Sequence, residues 1–177
     1  MITRPRPSSR AFTLIELALV VALVGILAVS VIPALRGVSD ARQAAAWRET
    51  ERRFVHARTS AMAAGRAFGV RVNPVAGTFE LMEVPLGAGS PGAARDPFGQ
   101  PVGAWSLPAS YPGTSIVGFV GGDGQSGTGT VWFGYDGAPQ RRNSSGTLLG
   151  GFTQDAVVTL TGGRTVTVRQ SSGLIER

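Results

Sequence analysis

The spacing of apolar residues along the chain changes twice, and each change predicts a different element. From Leu17 to Leu35 nineteen consecutive positions carry no charge; as a helix this block runs roughly 28 Å, about the depth of bilayer hydrocarbon. It reads as a spanning helix. A cleaved export signal is the simpler rival, but such apolar cores usually stop after about 7 to 15 residues at a small-residue site. Here the block continues to Pro33 and runs directly into helix-forming sequence. Between Leu35 and Gly65, Trp47, Phe54, Ala57, Ala61 and Ala64 recur at steps of three, four and seven, which places them on one face of an amphipathic helix. A proline in a lipid-embedded helix loosens one turn without ending it, so one helix of roughly fifty residues, kinked at Pro33, is the economical reading. Gly65 can take the left-handed conformation that stops it.

Beyond Gly65 the period falls to two. "RAFGVRV" and "TFELMEV" flank the turn "NPVAG" and predict a hairpin. "TSIVGFV" and "TVWFGYD" predict a second, and "AVVTLT" with "RTVTVRQ" a third about Gly162-Gly163. Asp136-Gly137 marks a further turn. Pro85 to Pro112, rich in Gly, Pro and Ala, predicts a long loop with at most one short strand, near Trp105. The expected fold class is α+β: a long N-terminal helix, its first half transmembrane, packed on a C-terminal antiparallel β-sheet head. The expected parts are residues 1–11 as a leader, 12–35 as the apolar helix, 36–65 as the amphipathic helix and 66–177 as the head.

Charge locates the ends of the span. Arg4, Arg6 and Arg10 precede it, which puts the N-terminus in the cytoplasm by the positive-inside tendency and the head outside. Every basic residue is an arginine, and the net charge of +6 invites a nucleic-acid or membrane-surface reading. Its distribution weakens that reading, because from Gly69 onward seven arginines face seven acids. With no cysteine, a disulfide framework and a thiolate metal site are both excluded.

Catalytic chemistry finds little in this sequence. His56, the one histidine, has no metal-ligand partner at i+4 or i−4, so it reads as a surface or packing residue. "GDGQSG" at residues 122–127 fits a phosphate-loop spacing but leads into strand-like sequence, whereas phosphate binding needs a helix start there. It reads as a loop. "NSS" at Asn143 reads as a surface turn, and no serine has the His and Asp partners of a nucleophile. No enzyme activity, cofactor or metal is expected. The residue that does ask for a function is Glu16, in "AFTLIELAL" at the start of the apolar block. An ionised group inside hydrocarbon costs about 3 kcal/mol or more, so such a residue is a functional candidate by default.

A basic leader ending in a small residue, then "FTLIEL", an apolar helix with a proline about twenty residues on, an amphipathic helix and a β-rich head resemble a type IV pilin-like protein. The resemblance implies cleavage by a membrane-embedded prepilin peptidase between Ala11 and Phe12, and methylation of the new amine of Phe12. The residue before the cut is usually glycine; Ala11 is small enough for a tight subsite and implies slower or enzyme-dependent processing, not its loss. Pro33 becomes the twenty-second residue of the mature chain, where pilins commonly carry a kinking proline. Glu16 then lies about one turn from the Phe12 amine, and in a filament its carboxylate pairs with the amine of a neighbour, relieving both charges in lipid and setting the axial register. The head and the closing residues, with Phe133 to Gly137 as strand and turn and a final hairpin near Gly173-Leu174, resemble the minor pseudopilins of the H kind from type II secretion and the related FimT-like minor pilins.

That resemblance implies a low-copy subunit at or near the tip of a filament, anchored by a single pass in the inner membrane of a Gram-negative-type envelope, with its head in the periplasm. Its partners would be the peptidase, other pseudopilins or minor pilins, membrane lipid and secreted cargo. The rival function is DNA capture, with Arg141, Arg142, Arg164 and Arg169, joined by Arg177, gripping phosphates in the C-terminal third. Asp123, Asp136, Asp155 and Glu176 in the same third oppose it.

Overall fold

A computed structural model describes residues 13–86 and 90–176, with the side chains of residues 28–36 outside the description. The leader, including Ala11 and Phe12, and the side chain of Pro33 therefore lie outside the described residues. The elements, in chain order, are α1 (Leu14–Ala64), β1 (Phe68–Asn73), β2 (Thr78–Glu83), β3 (Gly92–Ala93), β4 (Trp105–Ser106), α2 (Leu107–Ser110), β5 (Ile116–Val120), β6 (Gly129–Phe133), β7 (Pro139–Arg142), β8 (Leu148–Gly151), β9 (Ala156–Leu160), β10 (Thr165–Val168) and β11 (Ile175–Glu176). A long N-terminal helix followed by an antiparallel β head is the α+β architecture expected. The chain divides into two units, residues 1–40 and 41–177.

In the first unit, α1 is continuous through position 33. Its large apolar side chains from Leu14 to Leu27 are exposed. Among the described residues no helix is long and apolar enough to cross a membrane; the uncharged block of the sequence runs on into positions 28–36.

In the second unit the helix supplies one wall of the core. Ala46, Thr50, Phe54, Ala57 and Ala61, at steps of four, four, three and four, are fully buried, the stripe that 3.6 residues per turn presents to a single surface. The face is therefore rotated from the one that the spacing predicts: Ala64 is exposed, and Ala46 and Thr50 take its place inside. Thr50 can be buried because its hydroxyl donates to Ala46 O at 2.9 Å. Gly65, at φ 63°, ends the helix as expected.

Two antiparallel sheets complete the unit. One is seven-stranded, in the order β3-β2-β1-β6-β7-β8 with β4 also on β2; the other is β11-β10-β9-β5. Phe54 on the helix, Val70, Phe79, Val131 and Phe133 on the first sheet, and Phe119, Val158, Leu160 and Val166 on the second belong to one buried cluster. Phe54 meets the Phe79 ring edge-on at 6.5 Å, and the Trp47 indole N–H donates to Thr165 O at 2.7 Å. The helix is thus tied to both sheets.

The first and third expected hairpins form, as β1–β2 and β9–β10. In the first, Asn73 Oδ1 accepts from Ala76 N. The second expected hairpin does not form. β5 pairs with β9, and β6 pairs with β1 and β7, so the two strands belong to different sheets. Only the end of β5 doubles back, through a bridge from Val120 to Ser126 and a bond from Gly127 N to Phe119 O. The long loop also holds more order than its composition suggests: besides β4, it contributes β3 to the sheet and the one-turn helix α2, capped by Ser106.

Candidate functional site

The start of α1 is built by two side chains that serve each other. A helix begins with backbone N–H groups that have no partner within it. Here Thr13 Oγ1 accepts from Glu16 N at 3.3 Å, while Glu16 Oε2 accepts from Thr13 N at 2.9 Å and from the Thr13 hydroxyl at 3.0 Å. Leu17 N then donates to Thr13 O at 3.1 Å, the first i→i−4 bond. This is a capping box: a threonine N-cap with a glutamate three residues on. Glu16 is exposed, and its negative charge sits at the positive end of the helix dipole. Thr13 is the residue that charge alone leaves unnoticed; the signal for it is the T-x-x-E spacing ahead of an apolar run.

The two parts of the C-terminal pattern, Phe133 to Gly137 and Gly173-Leu174, meet in space. β6 ends at Phe133 opposite Pro139, and the turn between them is closed by Gly134 N donating to Ala138 O at 2.8 Å and by Asp136 Oδ1 accepting from Ala138 N at 3.0 Å. Gly173, at φ 63°, lies so close that a Cβ there would stand 2.7 Å from Gly137 O. From the helix, Arg58 Nε donates to Gly137 O at 3.1 Å and one terminal nitrogen donates to Ser172 O at 3.2 Å. Arg58 therefore staples the last turn of the chain to the β6–β7 turn.

Of the five arginines considered for DNA, Arg177 lies outside the described residues and the other four are not alike. Arg169 pairs with both Asp155 and Glu176, at 2.8 and 2.7 Å, and those acids hold its guanidinium above its ordinary value. Gln170 N, and then Arg169, hold the Asp155 carboxyl below the usual carboxylate range. Arg164 lies 5.4 Å from the Trp47 ring centroid, a cation–π contact. Arg141 and Arg142 are neighbours on β7; Arg141 Nε donates to Gly151 O at 2.8 Å, and Arg142 donates to Gly146 O and to Gln140 Oε1.

Every acid of the head is committed. Asp96, Asp123 and Asp136 accept from turn backbone N–H groups. Glu80 pairs with Arg71, the buried Glu83 pairs with Arg66 at 2.9 Å, and Asp155 and Glu176 share Arg169. His56 lies on α1 beside Arg53 and Leu81 at the edge of a shallow apolar groove. Among the described residues, no group of three or more His, Cys, Asp or Glu stands together as a metal site.

Comparison with known families gives one finding, at the helix start. The family model of the prokaryotic N-terminal methylation motif matches residues 6–32. Over those residues, the leader and the first part of α1, the chain is thus type IV pilin-like. Such a leader implies a membrane-anchored bacterial protein that is processed by a prepilin peptidase and assembles with other pilins. No curated protein and no solved structure matches the chain.

Proposed function

We propose that this protein is a minor pilin or pseudopilin, of the H kind of type II secretion, that is cut between Ala11 and Phe12, methylated on Phe12 and assembled at or near the tip of a filament. The observation that carries the reading is the methylation motif over residues 6–32, inside which α1 starts with Glu16 in its first turn. Before assembly the helix of residues 12–35 anchors the chain in the inner membrane, with the head of residues 66–177 in the periplasm. The uncharged block from Leu17 to Leu35 supports that placement. Cutting before Phe12 creates an ammonium one peptide away from Thr13 N, which Glu16 already holds. In the filament the Glu16 carboxylate exchanges this local partner for the amine of a neighbour, a pairing in which two charges in hydrocarbon compensate each other.

The head works by binding other subunits and not by catalysis. Its acids are spent on turns and ion pairs, which supports a scaffold over a reaction centre. The same inventory favours protein partners over DNA, because Arg169, one of the arginines a DNA grip would need, is neutralised twice. Kinking of the apolar helix at Pro33 lets it pack along others in the filament core. The reading is tested by co-expressing the full chain with a prepilin peptidase and measuring the intact mass. Loss of residues 1–11 together with gain of one methyl group on Phe12 is expected; a cut elsewhere, or none, contradicts it.

A further inference from the structure

Away from the helix start, the head contains a cavity of about 300 Å³ whose wall includes Arg141, Arg142, Gln140, Asp123, Leu149 and Phe152. Two guanidinium groups meet there, and neither is paired with the Asp123 carboxylate on the same wall. Among the described residues no carboxylate lies within 4.0 Å of Arg141 or Arg142, whereas Arg52, Arg53, Arg66, Arg71 and Arg169 each have at least one. Arg142 spends its terminal nitrogens on the neutral acceptors Gly146 O, at 2.6 Å, and Gln140 Oε1, at 2.9 Å. Its Nε is buried and has no partner among the described residues. Burial pushes its guanidinium down from its ordinary value, the sign of a cation drawn out of water with no anion to compensate.

The cavity is held open by its own architecture. Opposite the step from Arg141 to Arg142, β8 takes an extra residue, Leu149, and such bulges sharpen the local twist beside binding sites. On the far wall the Phe152 ring lies against Gly122, where any Cβ would collide with it. Thr153 N and Oγ1 fix that contact by donating to Gly122 O at 2.8 and 3.0 Å.

We propose that this cavity is a carboxylate-binding pocket that takes an acidic group of a protein partner. The Arg141 guanidinium, which among the described residues donates only its Nε–H, has terminal N–H groups that suit a carboxylate, and charge-assisted bonds of this kind are about twice as strong as neutral ones. Leu149 and Phe152 offer an apolar wall to the carbon chain that carries the acid. Asp123, fixed by Gln125 N, adds a negative charge to the same wall, which disfavours a densely anionic polymer and tolerates a single anion. The pocket stands on its own geometry and holds whether or not the chain polymerises.

The test is a titration of the full chain in detergent micelles, read on the arginine Nε–H signals by nuclear magnetic resonance. The probes are N-acetylglycine, for a chain end, and N-acetylglutamate amide, for a side chain, with N-acetylglutamine amide as the neutral control and inorganic phosphate as the competing anion. Saturable shifts of the Arg141 and Arg142 signals are expected with one or both carboxylates in the millimolar range, and none with the neutral control. Arg142→Gln, read at Arg141, weakens the binding about tenfold, while Arg164→Gln leaves it unchanged. Shifts that never saturate, equal shifts with the neutral control, or tighter binding of phosphate than of either carboxylate overturn the proposal. Should Arg142→Gln not fold, the comparison of charged and neutral probes on the unaltered chain decides alone.

Discussion

Thr13 and Glu16 cap the first turn of α1 by exchanging hydrogen bonds in both directions, at 2.9 to 3.3 Å. The acid that stands out at the edge of an apolar block therefore has a local duty before it has any intermolecular one. A capping box holds the carboxylate on the N–H of Thr13, the residue that follows Phe12, so under the proposed function the group that starts the helix is also the anion offered to a new amine.

Removing the threonine hydroxyl separates the two duties. Thr13→Val should cost the cap about 1 kcal/mol, and raise hydrogen exchange at the Glu16 and Leu17 amides roughly fivefold. Because Glu16 remains, incorporation into filaments should fall much less than it does when the acid itself is altered. Unchanged exchange at those amides would count against the cap.

The C-terminal closure depends on a missing side chain. Gly173→Ala places a Cβ 2.7 Å from Gly137 O at a φ of 63°, and should destabilise the fold by roughly 1 to 3 kcal/mol in chemical denaturation. Arg58→Met, which keeps the aliphatic stem but loses bonds to Gly137 O and Ser172 O, should cost about 1 to 2 kcal/mol. The double variant should fall short of the sum, since both act on Gly137 O. Full additivity would show that the staple and the close approach are independent.

The buried helix stripe makes a sharper contrast. Phe54→Ala should remove about 3 to 5 kcal/mol, whereas Ala64→Ser, on the exposed side of the same helix, should stay within about 0.5 kcal/mol. Equal losses at the two positions would place the buried face elsewhere.

Acid should loosen the C-terminal ion cluster in a defined direction. Asp155 has its folded pKa depressed, first by Gln170 N and then by Arg169. Its contribution is therefore fully present above the unfolded-chain value of about 3.9, and is lost as pH falls through the lower folded value. The melting temperature should drop between about pH 5 and pH 2 by more in the unaltered chain than in Asp155→Asn. Parallel curves would remove Asp155 from the cause.

Local chemistry made much of this fold legible. Gly65 ends a helix, Asp136-Gly137 turns a hairpin and Gly162-Gly163 joins β9 to β10 because a few adjacent residues decide each. Partner choice between strands is not decided locally. β5 and β6 read as a hairpin because only a short Gly-rich loop separates them, yet Phe119 finds Val158, and Val131 finds Val70, through contacts distant in sequence. β3 is a glycine and an alanine with no strand propensity, ordered only by the β2 edge beside it. At the helix start Glu16 is conspicuous by charge, while its partner Thr13 shows only through spacing. The Arg141–Arg142 cavity is the least legible, since residues from β6, β7, β8 and the loops on either side meet only after folding.

In the proposed function Glu16 is kept near the apolar block because a freshly cut amine needs an anion beside it. The most direct test is Glu16→Gln in the full chain, co-expressed with the peptidase and the other filament subunits. Removal of residues 1–11 and the incorporated fraction are then measured in sheared filaments. Glutamine preserves the shape and one acceptor of the cap but carries no charge, so the account predicts normal folding of the head and a filament fraction at least tenfold lower, a coupling of about 1.4 kcal/mol or more. Incorporation equal to that of the unaltered chain would contradict it.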